Sequence, residues 1–99
     1  MGMKHFVLIY EFRDDYLTRR APFRAEHLAL ARAAVERGEV VLGGAFVDGE
    51  GGMLLFKAES QGVVEEFAQR DPYVLNGVVL RWRVREWRTV VGGDALSSV

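Results

Sequence analysis

The sequence predicts an α+β domain of the split β-α-β-β-α-β, ferredoxin-like kind, with two helices on one face of a four-stranded antiparallel sheet. Three observations predict it. Runs of strand-forming character stand at four places, around Phe6–Tyr10, Glu39–Val47, Met53–Ala58 and Val78–Val91. Two stretches of helical periodicity, about Arg19–Arg37 and Gln61–Arg70, fall between the first and second and between the third and fourth. The whole is 99 residues, the size of one domain, with residues 1–91 holding every element and 92–99 reading as a flexible tail.

Each element has its own signal. Phe6-Val7-Leu8-Ile9-Tyr10 is apolar on both sides, with Phe6, Leu8, Tyr10 and Phe12 on one and Val7 and Ile9 on the other, as in a strand buried on both faces. Asp14 to Leu17 is a loop or helix entry. Pro22 suits the first turn of the helix that follows, and Gly38 suits its stop. At 100° per residue, Ala21, Phe23, Leu28, Leu30, Ala31, Ala34 and Val35 share one arc, with His27 near its middle and Arg20 and Arg24 also on it. Gly43-Gly44 inside the second strand suggests a bulge or a close approach. Asp48 to Gly52 reads as the hairpin turn, with Asp-Gly as its signal. Ser60 is a candidate N-cap, and Val63, Val64, Phe67 and Ala68 form the second helix's apolar face. Asp71 precedes Pro72, so it is extended and ends that helix. Tyr73 to Gly77 is a loop with an Asn76-Gly77 turn. The last strand changes phase after Trp87, which predicts a bulge near Glu86.

Composition narrows the function. Hydrophobic residues are 49% of the chain and the net charge is −1, so the sequence-independent attraction to phosphate is missing and no nucleic-acid partner is expected. The sequence has no cysteine, which removes disulfides, thiolate nucleophiles and Cys-ligated metals. No apolar run approaches a membrane span, and Met1 to Phe12 carries His5 and Glu11 rather than a leader pattern. A cytoplasmic protein is the expectation. The sheet face away from the helices is also substantially apolar and has no element of its own to cover it. A second copy is the physical remedy, so a homodimer packed sheet to sheet is expected.

The chemistry-bearing residues converge on two places. His27 lies on the apolar arc of the first helix, and Asp71 stands where the second helix ends. A histidine so placed is either a core residue bonded to a carbonyl or half of an acid–base pair. Asp71 is either a turn cap or the group that fixes the tautomer of His27 and raises its basicity. No serine or cysteine stands in either motif, so covalent acyl chemistry is not expected, whereas proton abstraction leading to isomerisation or elimination is within reach. Arg24 and Arg20 could grip a carboxylate or phenolate, or lay their stems along the sheet edge with their heads in water. Tyr73 could bond a ligand or pack at a subunit interface. Arg81, Arg83 and Arg85 recur at period two on the last strand, as a solvated face or the lining for an anion. His5 and His27 have no carboxylate at ligand spacing to both, so no metal is expected, and no cofactor either.

Three of these segments resemble a known family. Arg24-x-x-His27-Leu28, then Gly38-Glu39-Val40-Val41-Leu42-Gly43-Gly44, then Asp71-Pro72-Tyr73 with Gly77-Val78 are similar to the YCII-related (YciI-like) family, over roughly Met3 to Val90. The resemblance implies a dimeric α+β barrel of ferredoxin-like subunits and a His–Asp pair lining a pocket, which maps onto His27 and Asp71. It also implies kinship in fold with muconolactone isomerases, and elimination on a halogenated hydroxy-aromatic ring as a chemistry of the family. Two places depart from the family pattern: Gly44-Ala45 stands where Gly-Pro is common, and Arg85-Glu86-Trp87 where a proline and an aromatic are common. The combined expectation is a cofactor-free homodimeric enzyme acting on a small acidic organic substrate, with His27 and Asp71 catalytic and Arg24 and Tyr73 binding. The alternative is a ligand-binding or accessory module that uses the same pocket without turnover.

Overall fold

The computed structural model describes residues 2–98. Its elements are β1 (Lys4–Phe12), α1 (Tyr16–Arg19), a 3-10 turn (Ala21–Phe23), α2 (Arg24–Glu36), β2 (Val40–Ala45), β3 (Gly51–Ala58), α3 (Gln61–Arg70), α4 (Pro72–Leu75) and β4 (Val79–Trp87). The four strands form one antiparallel sheet in the order β2-β3-β1-β4. That is the ferredoxin-like order the sequence predicts, with the helices on one face.

The core lies between that face and the helices. From β1 and β3 it takes Phe6, Leu8, Tyr10, Leu54, Phe56 and Ala58, and from α3 Val64, Phe67 and Ala68, all buried. Alternation along each strand puts these residues on one side. Phe56 and Phe67 meet edge to face with ring centroids 5.2 Å apart. Burying side chains of this size contributes roughly 1.5–3 kcal/mol each, so a handful of them hold the layers together.

The first helix departs from expectation. It does not run from Arg19 to Arg37 but in three pieces, because Pro22 has no N–H and its ring would strike the carbonyl four residues back. The chain therefore closes α1 with Arg20 N–H donating to the Tyr16 carbonyl at 2.8 Å, turns once as a 3-10 helix, and begins α2 at Arg24. On the predicted apolar arc only Ala34 is fully buried; Phe23, Leu30 and Ala31 pack partly against the core, and Val35 is half exposed. The helix stands away from the sheet, and a cavity occupies the gap.

The hairpin and the last strand also differ. β2 ends at Ala45, and Gly51-Gly52 belong to β3 rather than to the turn. These glycines carry the backbone approach that the sequence suggests for Gly43-Gly44, while Gly43 is close to a side chain, a Cβ there standing 3.1 Å from Leu54 Cγ. A Cβ on Gly51 would stand 2.2 Å from the Tyr10 carbonyl oxygen and one on Gly52 2.8 Å from that of Gly44, whereas one on Gly44 would meet nothing within 4 Å. The turn between them uses Gly49 at φ +78°. The register slips at Val41, which stands unpaired between Val40 and Leu42, and opposite Leu80, between Glu11 and Phe12. No slip occurs at Glu86, which pairs with Phe6, and β4 ends at Trp87 rather than Val91. Beyond it, the Thr89 hydroxyl lies 2.7 Å from His5 Nδ1 and accepts from the Leu96 N–H at 3.1 Å. Ser60 occupies the N-cap of α3, but its side chain makes no capping bond.

Candidate functional site

The site is built where α2, the α3–α4 junction and the middle of β1 converge. The residues after Asp71 are not a loop. Pro72 starts a helical turn, and the Asp71 side chain caps it by accepting the Tyr73 N–H at 2.9 Å. Proline suits that first position because the N–H it lacks has no helical acceptor there. The cap points the Asp71 carboxylate back beneath α2, where it has no exposure to solvent.

A carboxylate so buried needs donors on both oxygens, and three groups supply them. His27 Nδ1 lies 2.8 Å from Oδ1 and 3.0 Å from Oδ2, the Tyr10 hydroxyl donates to Oδ2 at 2.6 Å, and the Tyr73 N–H takes Oδ1. Asp71 is thus cap and partner of His27 at once. Burial first, and then the neighbouring Asp71 charge and hydrogen bond, push the Tyr10 phenol far above its ordinary value, so it stays protonated and donates.

His27 is fixed from a second direction. Its ring stacks on Tyr73 with centroids 3.8 Å apart and planes 5° from parallel. With Nδ1 directed at Asp71, Nε2 is the free nitrogen. It makes no hydrogen bond among the described residues, where no buried side-chain nitrogen or oxygen lacks a partner, so Nε2 is open to the cavity that His27 lines. Burial also raises the Tyr73 phenol, against the pull of Arg20 and Arg24.

The cavity holds about 340 Å³, at the small end of ligand sites. Leu28, Ala31, Val35, Val40 and Leu54 give it an apolar wall, and Phe12 and Tyr16, stacked at 4.6 Å, give it an aromatic one. Arg20, Arg24 and Arg32 also line it, with no carboxylate among the lining residues. Arg20 lies over the Tyr16 ring at 5.5 Å, half-buried, while Arg24 is exposed. Arg20 and Tyr16 stand four residues apart along α1 and its cap, a spacing that brings the guanidinium over the ring. Gly43, Gly44 and Gly52 form the side toward the β2–β3 edge.

The four residues expected from the sequence, His27, Asp71, Arg24 and Tyr73, therefore stand together. Asp71 lies behind His27, and the other three line the cavity. The arginine row stands apart. Arg83 and Arg85 sit across from Ile9 and Val7 on the other face of the sheet, and Arg81 pairs with Glu11 at 2.9 Å. Tyr10 and Tyr16 did not stand out in the sequence as site residues. A tyrosine at an inward-facing strand position is the one signal that could have found Tyr10, since its hydroxyl needs a partner in the core.

The YCII-related domain family matches residues 3–88, which hold the whole sheet and all the helices. The chain belongs to the YCII-related family. Solved structures share the fold of this YCII-related protein. The 5-chloro-2-hydroxyhydroquinone dehydrochlorinase TftG of Burkholderia phenoliruptrix AC1100, in complex with 2,5-dihydroxybenzoquinone, superposes with a TM-score of 0.75 at 24% identity, over 87% of this chain and 95% of that one. Rv0793 of Mycobacterium tuberculosis superposes with a TM-score of 0.58 at 16% identity, over 94% and 100%. No curated protein matches the sequence. Among the described residues no helix is long and apolar enough to cross a membrane.

Proposed function

We propose that this YCII-related protein is a cofactor-independent acid–base enzyme that isomerises, or eliminates a leaving group from, a small acidic organic substrate, with an aromatic ring as the best-fitting core. The observation that carries the reading is the buried Asp71 carboxylate bonded to His27 Nδ1, with Nε2 left open to the cavity. In that arrangement Nε2 takes a proton from an acidic carbon or phenol, and Asp71 balances the imidazolium that forms. The electron pair left on the substrate then either expels a leaving group or collects a proton at another carbon. Arg24, Arg20 and the Tyr73 hydroxyl hold the anionic oxygens, and the apolar and aromatic walls take the ring. The quinone bound to a dehydrochlorinase of the same fold supports a ring of that size and polarity. The working form is a homodimer that covers the free sheet face.

The test is the His27 imidazole followed by NMR, with and without a panel of phenols, hydroxyquinones and carboxylic acids, alongside turnover of halogenated hydroxyquinols. A ligand that shifts the His27 titration, together with turnover that His27→Ala abolishes in a folded protein, supports the enzyme. Ligand binding without turnover of any panel member would favour the accessory module. A His27→Ala chain that does not fold would make His27 a structural residue.

A further inference from the structure

Asp71 has one donor more than a histidine–aspartate pair requires. The Tyr73 N–H is explained by the start of α4, and His27 by the acid–base reading. Tyr10 is explained by neither. It comes from the middle of β1, 61 positions from Asp71, and its hydroxyl makes the shortest of the three bonds at 2.6 Å. A phenylalanine would fill the same place in the core; the hydroxyl is there for Asp71.

We infer that Tyr10 is a positioning residue of the acid–base unit, fixing the Asp71 carboxylate and holding down the basicity of His27. This rests on the proposed role of His27 and Asp71. Both carboxylate oxygens are shared: Oδ1 between Tyr73 N–H and His27, Oδ2 between Tyr10 and His27. Each proton donated to the carboxylate drains charge that would otherwise stabilise the imidazolium. Tyr10 therefore keeps Asp71 from holding the His27 proton too tightly, which a base that must also return its proton requires. The donor is constant, because the buried phenol keeps its proton whatever the state of His27.

The surroundings clamp Tyr10 in this role. Its cross-strand neighbours are Gly52 on β3 and Trp82 on β4, and Gly51 brings the β3 backbone so near the Tyr10 carbonyl that no Cβ fits between. Three ionisable groups surround His27 directly or through Asp71: Asp71 itself, Tyr10 on β1 and Tyr73 stacked on the ring. Tyr16, Arg20, Arg24 and Arg32 line the cavity beyond and make no hydrogen bond to His27 or Asp71. Among the side chains of the described residues, Tyr10 alone donates to Asp71 besides His27.

The experiment is the His27 titration in the wild type, Tyr10→Phe, Asp71→Asn and Trp82→Phe, with no ligand present. Loss of the Tyr10 donor is expected to raise the His27 pKa by about half a unit or more, since a hydrogen bond to a charged group is among the stronger ones. Asp71→Asn should lower it, and Trp82→Phe, which alters only the packing beside Tyr10, should leave it in place. An unchanged His27 in Tyr10→Phe, with Asp71→Asn still lowering it, overturns the inference and spares the pair. No change in Asp71→Asn overturns the pair itself. Should Tyr10→Phe fail to fold, 3-fluorotyrosine at position 10 keeps the packing and strengthens the donor. The His27 pKa then falls if the inference holds and stays put if it does not.

Discussion

At the scale of residues, the molecule concentrates its polar chemistry on one carboxylate. Asp71 has no contact with solvent and accepts from a backbone N–H, an imidazole and a phenol. The arrangement has a consequence for stability at high pH. In the unfolded chain Tyr10 and Tyr73 ionise near the ordinary value of 10.0, whereas in the fold both are raised. The folded state therefore binds more protons above that value. The stability these groups contribute is full below pH 10 and is lost as the pH rises beyond it, at about 1.4 kcal/mol per pH unit while Tyr10 stays protonated in the fold and with a smaller share from Tyr73, whose rise Arg20 and Arg24 oppose. Urea unfolding measured from pH 8 to 11.5 should show that fall, and Tyr10→Phe should fall less steeply by one group's share. Parallel curves for the two proteins would mean that Tyr10 ionises freely. His27 and Asp71 were legible in the sequence because each sits at a marked position, one on an apolar helical arc and one before a proline. Tyr10 was not, because alternation gives the side of the strand on which a side chain lies but not the group its hydroxyl meets.

At the scale of elements, strand and helix order followed from periodicity, and the errors fall where local backbone sterics overrode it. Pro22 lies inside the expected helix but breaks it into α1, a 3-10 turn and α2. The hairpin glycines show the same thing. The sequence places Gly43-Gly44 inside a strand and Gly51-Gly52 in the turn, yet it is the second pair that meets a backbone oxygen at close range, which depends on a register that composition does not carry. The difference is measurable. Gly51→Ala places a Cβ 2.2 Å from the Tyr10 carbonyl oxygen, and because the obstacle is backbone the sheet must open. It should cost about 3 kcal/mol or more in chemical denaturation, at the upper end of overpacking. Gly44→Ala meets open space and should stay within about 0.5 kcal/mol of the wild type. Equal effects of the two substitutions would contradict the β1–β3 register described above. Since Gly51 presses on the strand that carries Tyr10, the same variant should also disturb the Tyr10–Asp71 bond.

At the scale of the whole molecule, the fold covers one face of its sheet and leaves the other open. Val7, Ile9 and Leu55 are only half-buried there, Met53 and Leu42 are exposed, and Arg83 and Arg85 flank them on β4. The accessible surface is 6443 Å², against roughly 5,700 Å² for a monomer of this mass by the usual scaling. A stable interface removes roughly 800 Å² from each partner, an area a face of this kind can supply. The expected species is therefore a dimer, sedimenting at twice the chain mass of 11.1 kDa. Leu55 is the position at which to break it. Its cross-strand neighbours are Val7 and Leu42, so a glutamate there finds no cation directly opposite. Leu55→Glu should sediment as a monomer while keeping the circular dichroism of the fold. Met53 and Gly44 pair on this face and also rim the cavity, so the same variant should weaken ligand binding as it dissociates. A wild type that sediments as a monomer would leave the apolar face without a partner of its own kind. A Leu55→Glu protein that stays dimeric would move the interface elsewhere on the molecule.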